Sequence, residues 1–320
     1  MKHRILLLTD YALRIPQRLR ATESFNITDL ATHLRSGGTD VVITHYEDPE
    51  LFTMVSTLGV THCLPATSFY LGYRHLVNSI VPVLECIGVR LIPSCVHLLA
   101  YENKTLQTAL ASALSLAMPE TRAVATYEEF TRAAEVMGLP VVTKNPHGFA
   151  SAGVRLITSQ DELKQVGHEV FSERQVGTKG IGMLIVQKYL PQLKGDWKII
   201  VLGNHAASLY RHVRPGDFRA SGSGLFEFRR ASDQVLDFAM SVKQKLSVPW
   251  VSCDIAETED GPILIEFQVV HFGTTTIDKA PEHYLKLAAG WKTVAGVVPA
   301  ESAMADAILE SIATAKEHSE

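Results

Sequence analysis

The stretch CDIAETEDGPILIEFQ, Cys253 to Gln268, decides the reading of this chain. Two apolar runs, 252–257 and 262–267, flank Glu259, Asp260 and Gly261, so the stretch predicts a β-hairpin. Each run carries one carboxylate in an apolar context, Asp254 in CDI and Glu266 in LIEFQ. A carboxylate in such a strand is costly unless it is paired or binds a cation. Gln268 follows Glu266 by two residues and shares its strand face. Two carboxylates and an amide oxygen form a hard-oxygen set, the kind that holds magnesium with substrate phosphates and water. The competing reading is two carboxylates held by nearby arginines.

Upstream, RHVRPGDFRASGSG places Arg211, Arg214 and Arg219 in a Ser/Gly loop with His212 and Asp217. Arginine forks suit phosphate and carboxylate groups; the alternative is a solvated loop in salt bridges with Asp217. The string KNPHGFASAGV ends a strand on Lys144 and enters a small-residue loop containing Gly148 and Gly153. Small residues let backbone N–H groups approach phosphate oxygens, and the lysine adds a point charge. This is not a P-loop, which needs Gly-Lys-Ser/Thr leading into a helix. An ordinary hairpin turn with a solvated lysine is the alternative. Asn103–Lys104 opens a helix, where an anion is favoured, although exposed helix lysines are common.

Around these strings the pattern alternates. Residues 5–9 and 41–44 read as buried strands separated by a helix at 27–34, and 89–92 reads as a third strand after a helix at 73–87. This order predicts a parallel sheet covered by helices, ending near residue 98. Helices are predicted over 103–118, 127–137, 161–171 and 234–246. Strands are predicted over 140–144, 154–157 and 183–189, and a hairpin joins 197–202 to 205–211 through Gly203–Asn204. The tail, 301–316, predicts an amphipathic helix for packing or dimer formation.

Composition sets the outer limits. The 320 residues suffice for one large or two ordinary domains. Hydrophobic residues make up 46% and charged residues 20%, which argues against general disorder. The net charge of −4 weighs against nucleic acid as a partner. No apolar run reaches about 18 residues, so no membrane helix is expected. Four cysteines without a CxxC pair fit a reducing, cytoplasmic setting.

Taken in order, the strings ENKTLQTALASALSLAMPET, PVVTKNPHGFASAGV, LIVQKYLP, GDWKIIVLGNHAASLYRHVRPGDFRASG and CDIAETEDGPILIEFQ resemble the RimK-type carboxylate–amine ligases of the ATP-grasp superfamily, roughly over residues 101–278. The resemblance implies an α/β chain of the α+β ATP-grasp kind. A Rossmann-like pre-ATP-grasp domain would span 1–98. A two-subdomain ATP-grasp domain would span 99–298, with a phosphate-loop half at 99–190 and a metal-binding half at 191–298. A C-terminal helix would span 299–320.

The resemblance also implies roles. Lys104 and Lys144 would bind ATP phosphates beneath a loop from Gly148 to Gly153. Gln187, Lys188, Tyr189 and Leu190 would be the hinge that reads adenine, and Asp196 would lie at the nucleoside end. Arg211 and Arg219 would hold the γ-phosphate and an acyl-phosphate intermediate. Asp254, Glu266 and Gln268 would bind Mg2+, with Mn2+ as a substitute.

Three departures stand out. Gln268 replaces the usual Asn. Lys198, expected at the nucleotide, replaces the usual Arg. The segment VVHFGTTTI lacks the usual Asn-x-Ser-Pro-Gly turn, making His271 and Thr274 to Thr276 candidate substrate contacts, with a hydrogen-bonded structural histidine an equal reading of His271; Arg214 is a further candidate substrate contact.

The implied reaction joins a small-molecule or peptide carboxylate to an amine, through an acyl phosphate, in a homo-oligomer (dimer or tetramer). The alternatives are a small-molecule kinase on the same fold, a nucleotide-binding module without turnover, and a ligase acting on a polypeptide tail.

Overall fold

A computed structural model of the chain describes residues 3–17, 20, 24–68, 70–147, 153–171 and 182–317. Ile5, Leu6, Leu7 and Leu8 are fully buried in the strand Arg4–Thr9. A continuous apolar run of this kind fits a strand covered on both faces. Among the described residues its sheet is parallel, in the order Asp40–His45, Arg4–Thr9, His62–Pro65, Arg90–Leu91. The third of these strands was not expected. It is four residues long, begins with His62 and ends on Pro65, too little pattern to declare itself. The helix Leu51–Leu58 before it was missed as well.

The second sheet is antiparallel, in the order Thr121–Val124, Leu184–Lys188, Val141–Lys144, Val154–Ile157. Helices Tyr127–Met137 and Gln160–Phe171 lie on it and share a separate core around Phe130, Val166 and Phe171. Thr126 caps the first of these helices by accepting from Glu129 N. The helix predicted over 103–118 stops at Ala113, and Ser115 turns the chain with φ 49°.

The third sheet carries the hairpins. Its order is Gly261–Gln268, Trp250–Thr258, Gly195–Leu202, His205–His212, Glu282–Leu287, Gly290–Ala295, and Phe226–Glu227 pairs with His205–His212. Ile199, Ile200, Val201 and Leu202 are fully buried beneath helix Asp233–Lys245. The hairpin formed by Glu282–Leu287 and Gly290–Ala295 was missed because only His283 and Tyr284 of its strand residues are buried, which leaves no clean alternation. Helix Ala300–Glu317 packs within the chain against Ile27–Ser36, and a Cβ on Gly37 would run into Leu309. The tail is therefore a packing element.

Candidate active site

Strand register assembles the site. Asp196 stands opposite Arg211, and Lys198 stands opposite Asp254, which stands opposite Glu266; Ser252 stands opposite Gln268. Residues two apart on a strand share a face, so these side chains occupy one face of the third sheet. The register shifts between Asp254 and Ile255, so that Ile255 pairs with Leu264 and Ile265 is left as the extra residue. This β-bulge brings Glu266 level with Asp254.

Charge pairing on that face is tight. Lys198 Nζ donates to Asp254 Oδ1 at 2.8 Å, and an Arg211 guanidinium nitrogen lies 2.8 Å from Asp254 Oδ2. Arg211 Nε donates to Asp196 Oδ1 at 2.6 Å. Burial alone would raise the Asp254 carboxyl pKa, but Arg211 and Lys198 together hold it below the ordinary range. Burial raises that of Asp196 despite the pull of Arg211, with Asp254 adding repulsion. Burial works to lower the Arg211 pKa, yet its two carboxylates keep it raised. The competing sequence reading, carboxylates held by arginine, is thus realised for Asp254.

Glu266 is more open. It accepts from Gln268 Nε2 at 3.1 Å and lies 3.9 Å from Lys104 Nζ. Gln268 Oε1 is buried and has no hydrogen-bond partner among the described residues. Each Asp254 oxygen spends one lone pair on its cation and keeps a second. An orphaned amide oxygen beside two carboxylates fits a hard cation.

Two cavities flank this face, and Asp254 and Glu266 line both. The smaller, about 130 Å³, is lined by Lys104, Lys144, Gln187 to Leu190, Asp196 and Arg219. Lys104 opens its helix behind an Asn103 cap, and its N–H donates to Pro146 O at 2.8 Å, which ties it to the strand end carrying Lys144. Lys144 is buried; burial pulls its pKa below the ordinary lysine value, Lys104 adds to this, and Glu266 and Asp254 oppose it. Gln187 donates to Thr121 Oγ1 at 2.9 Å, and the Lys188 N–H is taken by Glu120 O at 2.8 Å. Gly153 has φ 72°, and a Cβ there would meet the Asn145 side chain; Gly148 lies outside the described residues.

The larger cavity, about 390 Å³, is lined by Tyr101, Glu102, Lys198, Arg211, Gln268 and His271, with the loop 221–224 and Phe226 at its edge. The two arginines expected to act together therefore separate, Arg211 to the larger cavity and Arg219 to the smaller. Arg219 is clasped by Asp217, with Nε at 2.9 Å and an outer nitrogen at 2.6 Å from Oδ2.

Three expectations shift. Lys198 lines the larger cavity, away from the hinge, because its strand position faces Asp254. Arg214 lines neither cavity; it donates to Ser221 O at 2.8 Å and braces its own loop. Thr274 is fully buried, its carbonyl accepting from Ile277 and Asp278 N–H, whereas Thr275 and Thr276 reach the cavity. Tyr101 and Glu102 were missed, since nothing in their spacing distinguishes them from a helix leader.

Comparison with known proteins follows the same lines. The RimK-like ATP-grasp domain matches residues 94–284. Searching curated protein sequences finds no match. Among solved structures, a RimK domain ATP-grasp protein from Sphaerobacter thermophilus DSM 20745 aligns at TM-score 0.56 and 16% identity, over 95% of this chain and 98% of that one. D-alanine–D-alanine ligase from Bacillus anthracis, complexed with ATP, aligns at TM-score 0.54 and 13% identity, over 99% of both chains. A Chryseobacterium gregarium RiPP-associated ATP-grasp ligase, in complex with ADP and a leader and core peptide, aligns at TM-score 0.59 and 13% identity, over 98% of this chain and 97% of that one. These likenesses concern the fold, and the domain match spans more than half of the sequence: the chain belongs to the RimK-like ATP-grasp domain family.

Proposed function

We propose that this protein is an ATP-dependent carboxylate–amine ligase. One observation carries the reading: Asp254 and Glu266 wall two adjoining cavities, one lysine-lined beside a strand hinge and one holding Arg211 and Lys198. Such a wall lets a phosphoryl group pass from a nucleotide on one side to a carboxylate on the other. The ATP and ADP complexes of two fold neighbours support the nucleotide assignment.

In this mechanism Lys104 and Lys144 neutralise the ATP phosphates, and backbone groups of the Gln187 to Leu190 hinge hold adenine. Arg219, fixed by Asp217, faces the same nucleotide cavity. Arg211 and Lys198 receive the substrate carboxylate and offset the charge that develops as its oxygen attacks the γ-phosphate. The amine then attacks the acyl phosphate and displaces phosphate. Asp254, Glu266 and Gln268 would hold Mg2+, which supplies charge neutralisation at the phosphates when bound. Positioning and electrostatics do the work, without a protein nucleophile.

The test is direct. Purified protein with Mg-ATP and pooled carboxylates and amines should release ADP and phosphate only when both substrates are present, with an amide detected by mass spectrometry. ATP consumption without amide overturns the reading, and a stable phosphoester would identify a kinase instead.

A further inference from the structure

Gln17 reaches 253 residues along the chain to grip the main chain beside the larger cavity. It directly follows the short strand Ile15–Pro16 and is buried. Its Nε2 donates to Val270 O at 3.0 Å, and its Oε1 accepts from Phe272 N–H at 3.0 Å. A carbonyl only accepts and an N–H only donates, so these partners fix which way the amide points. The two contacts straddle His271. Val269, Val270, His271 and Phe272 are all buried, and they run between strand Gly261–Gln268 and helix Thr275–Lys279. Buried main-chain groups outside a helix or sheet need partners from elsewhere. Gln17 supplies two of them, and Trp250 Nε1 supplies a third by donating to Val269 O at 2.7 Å.

The segment held in this way is part of the cavity wall. His271 and Phe272 line the larger cavity, and so do Thr275 and Thr276 on the helix that follows. That helix is held from the same stretch of chain. Arg20 lies 3.7 Å from Asp278 Oδ1 and 2.9 Å from Glu301 Oε1, with its guanidinium 4.5 Å from the centre of the Phe25 ring. Among the described residues, none before Tyr101 lines either cavity. Gln17 and Arg20 therefore act on the site through the segment they hold.

We infer that Gln17 is a positioning residue of the substrate cavity: by pinning the main chain on both sides of His271, it sets where His271 and Phe272 stand against the substrate. The inference rests on the ligation reading. Only an amide on a side chain of this length meets both demands. Methionine matches the length but lacks the amide, and leaves Val270 O and the Phe272 N–H buried without partners. Asparagine carries the same amide one methylene shorter and does not span both groups. Among the described residues, none from 269 to 276 lines the nucleotide cavity. Loosening the segment therefore falls on the substrate side and spares ATP.

The test separates the two substrates. The full-length protein is given Mg-ATP, hydroxylamine as the amine, and each standard amino acid or D-alanine as the carboxylate, and hydroxamate is measured. Gln17→Met should raise the KM for the carboxylate about 10-fold, the scale of a lost buried hydrogen bond, and leave the KM for ATP unchanged. Gln17→Asn should give a smaller rise in the same direction, and it serves if Gln17→Met does not fold. Asn26→Ala is the control for stability alone: it removes the cap of helix Ile27–Ser36, which lies away from the cavity, and should move neither KM. A rise in both KM values for the Gln17 variants, a rise in neither, or an equal carboxylate effect in Asn26→Ala overturns the inference alone. No hydroxamate from the unmodified protein overturns the ligation reading, and the inference with it. Independently of substrate, hydrogen exchange over residues 269–273 should quicken about 10-fold in Gln17→Met and stay unchanged in Asn26→Ala, because the Phe272 N–H loses its acceptor; unchanged exchange in Gln17→Met overturns the inference.

Discussion

Arg211 reaches over the intervening strand Gly195–Leu202 to lie 2.8 Å from Asp254. The contact binds three strands of the third sheet into one charged layer, because Arg211 also holds Asp196 and Asp254 also holds Lys198. Two cations and two carboxylates nearly cancel, so the layer tolerates burial only as a set.

Asp254→Asn breaks that set. It leaves a buried guanidinium and ammonium facing one ionised carboxylate, and removal of one partner from a buried pair costs about 3–5 kcal/mol. Urea denaturation should register a loss of that size with an unchanged slope. Lys198→Met in the Asp254→Asn background should recover part of it, since one uncompensated cation is then gone.

Histidines away from the site give the pH dependence of stability. Burial lowers the His97 pKa to about 4, with a contact to the Leu246 backbone opposing, and burial with His3 and Arg90 lowers that of His62 to about 4. Below the ordinary value near 6.5 the unfolded chain takes up protons that the folded chain refuses. Stability is therefore highest above that value and declines as pH falls toward about 4, at up to about 1.4 kcal/mol per pH unit for each histidine. Urea midpoints at pH 7.5, 5.5 and 4.5 should fall in that order. His97→Gln should flatten the decline, and an equally steep curve would refute the assignment.

Lys144 separates stability from binding. Its ammonium is buried, and its pKa is pulled down by burial. Lys144→Met removes a desolvated charge and should leave the protein as stable as before or more so. The same change deletes a charge-assisted contact to phosphate, worth about 1.5–3 kcal/mol, which corresponds to roughly 10- to 150-fold in ATP affinity. Calorimetric ATP titration beside thermal unfolding reads both effects; a variant that loses both together would mark Lys144 as structural.

Much of this was legible in the strings around Lys144, Arg211 and Asp254, because turn chemistry and strand alternation act over short spans. Unbroken hairpin register would set Asp254 opposite Ile265 and turn Glu266 to the other face; the bulge at Ile265, which has no signature in LIEFQ, is what brings Glu266 beside Asp254. Partner choice was harder. The clasp of Asp217 on Arg219 is local and was among the readings of the loop, but that Arg211 turns to Asp196 and Asp254 depends on which strand lies opposite. Tyr101 and Glu102 escaped notice for the same reason: their partners, Arg74 and His271, are distant in sequence.

Asp217 offers the cleanest probe of the arginine loop. Its hydrogen bond from the Arg219 side chain, helped by the Arg219 and Phe218 N–H groups, lowers its pKa to about 2. The carboxylate thus stays ionised throughout the working range, and the clasp on Arg219 should not vary between pH 5 and 9. Asp217→Asn weakens the clasp and frees the guanidinium to wander from the nucleotide cavity. The pair is close to the surface, where such bridges are worth about 0–1 kcal/mol, so unfolding should barely change. The KM for ATP should rise about 10-fold, equivalent to about 1.4 kcal/mol of lost orientation, and by the same factor at pH 6 and pH 8. A KM shift confined to one pH would mean that another titrating group, and not Asp217, governs where Arg219 points.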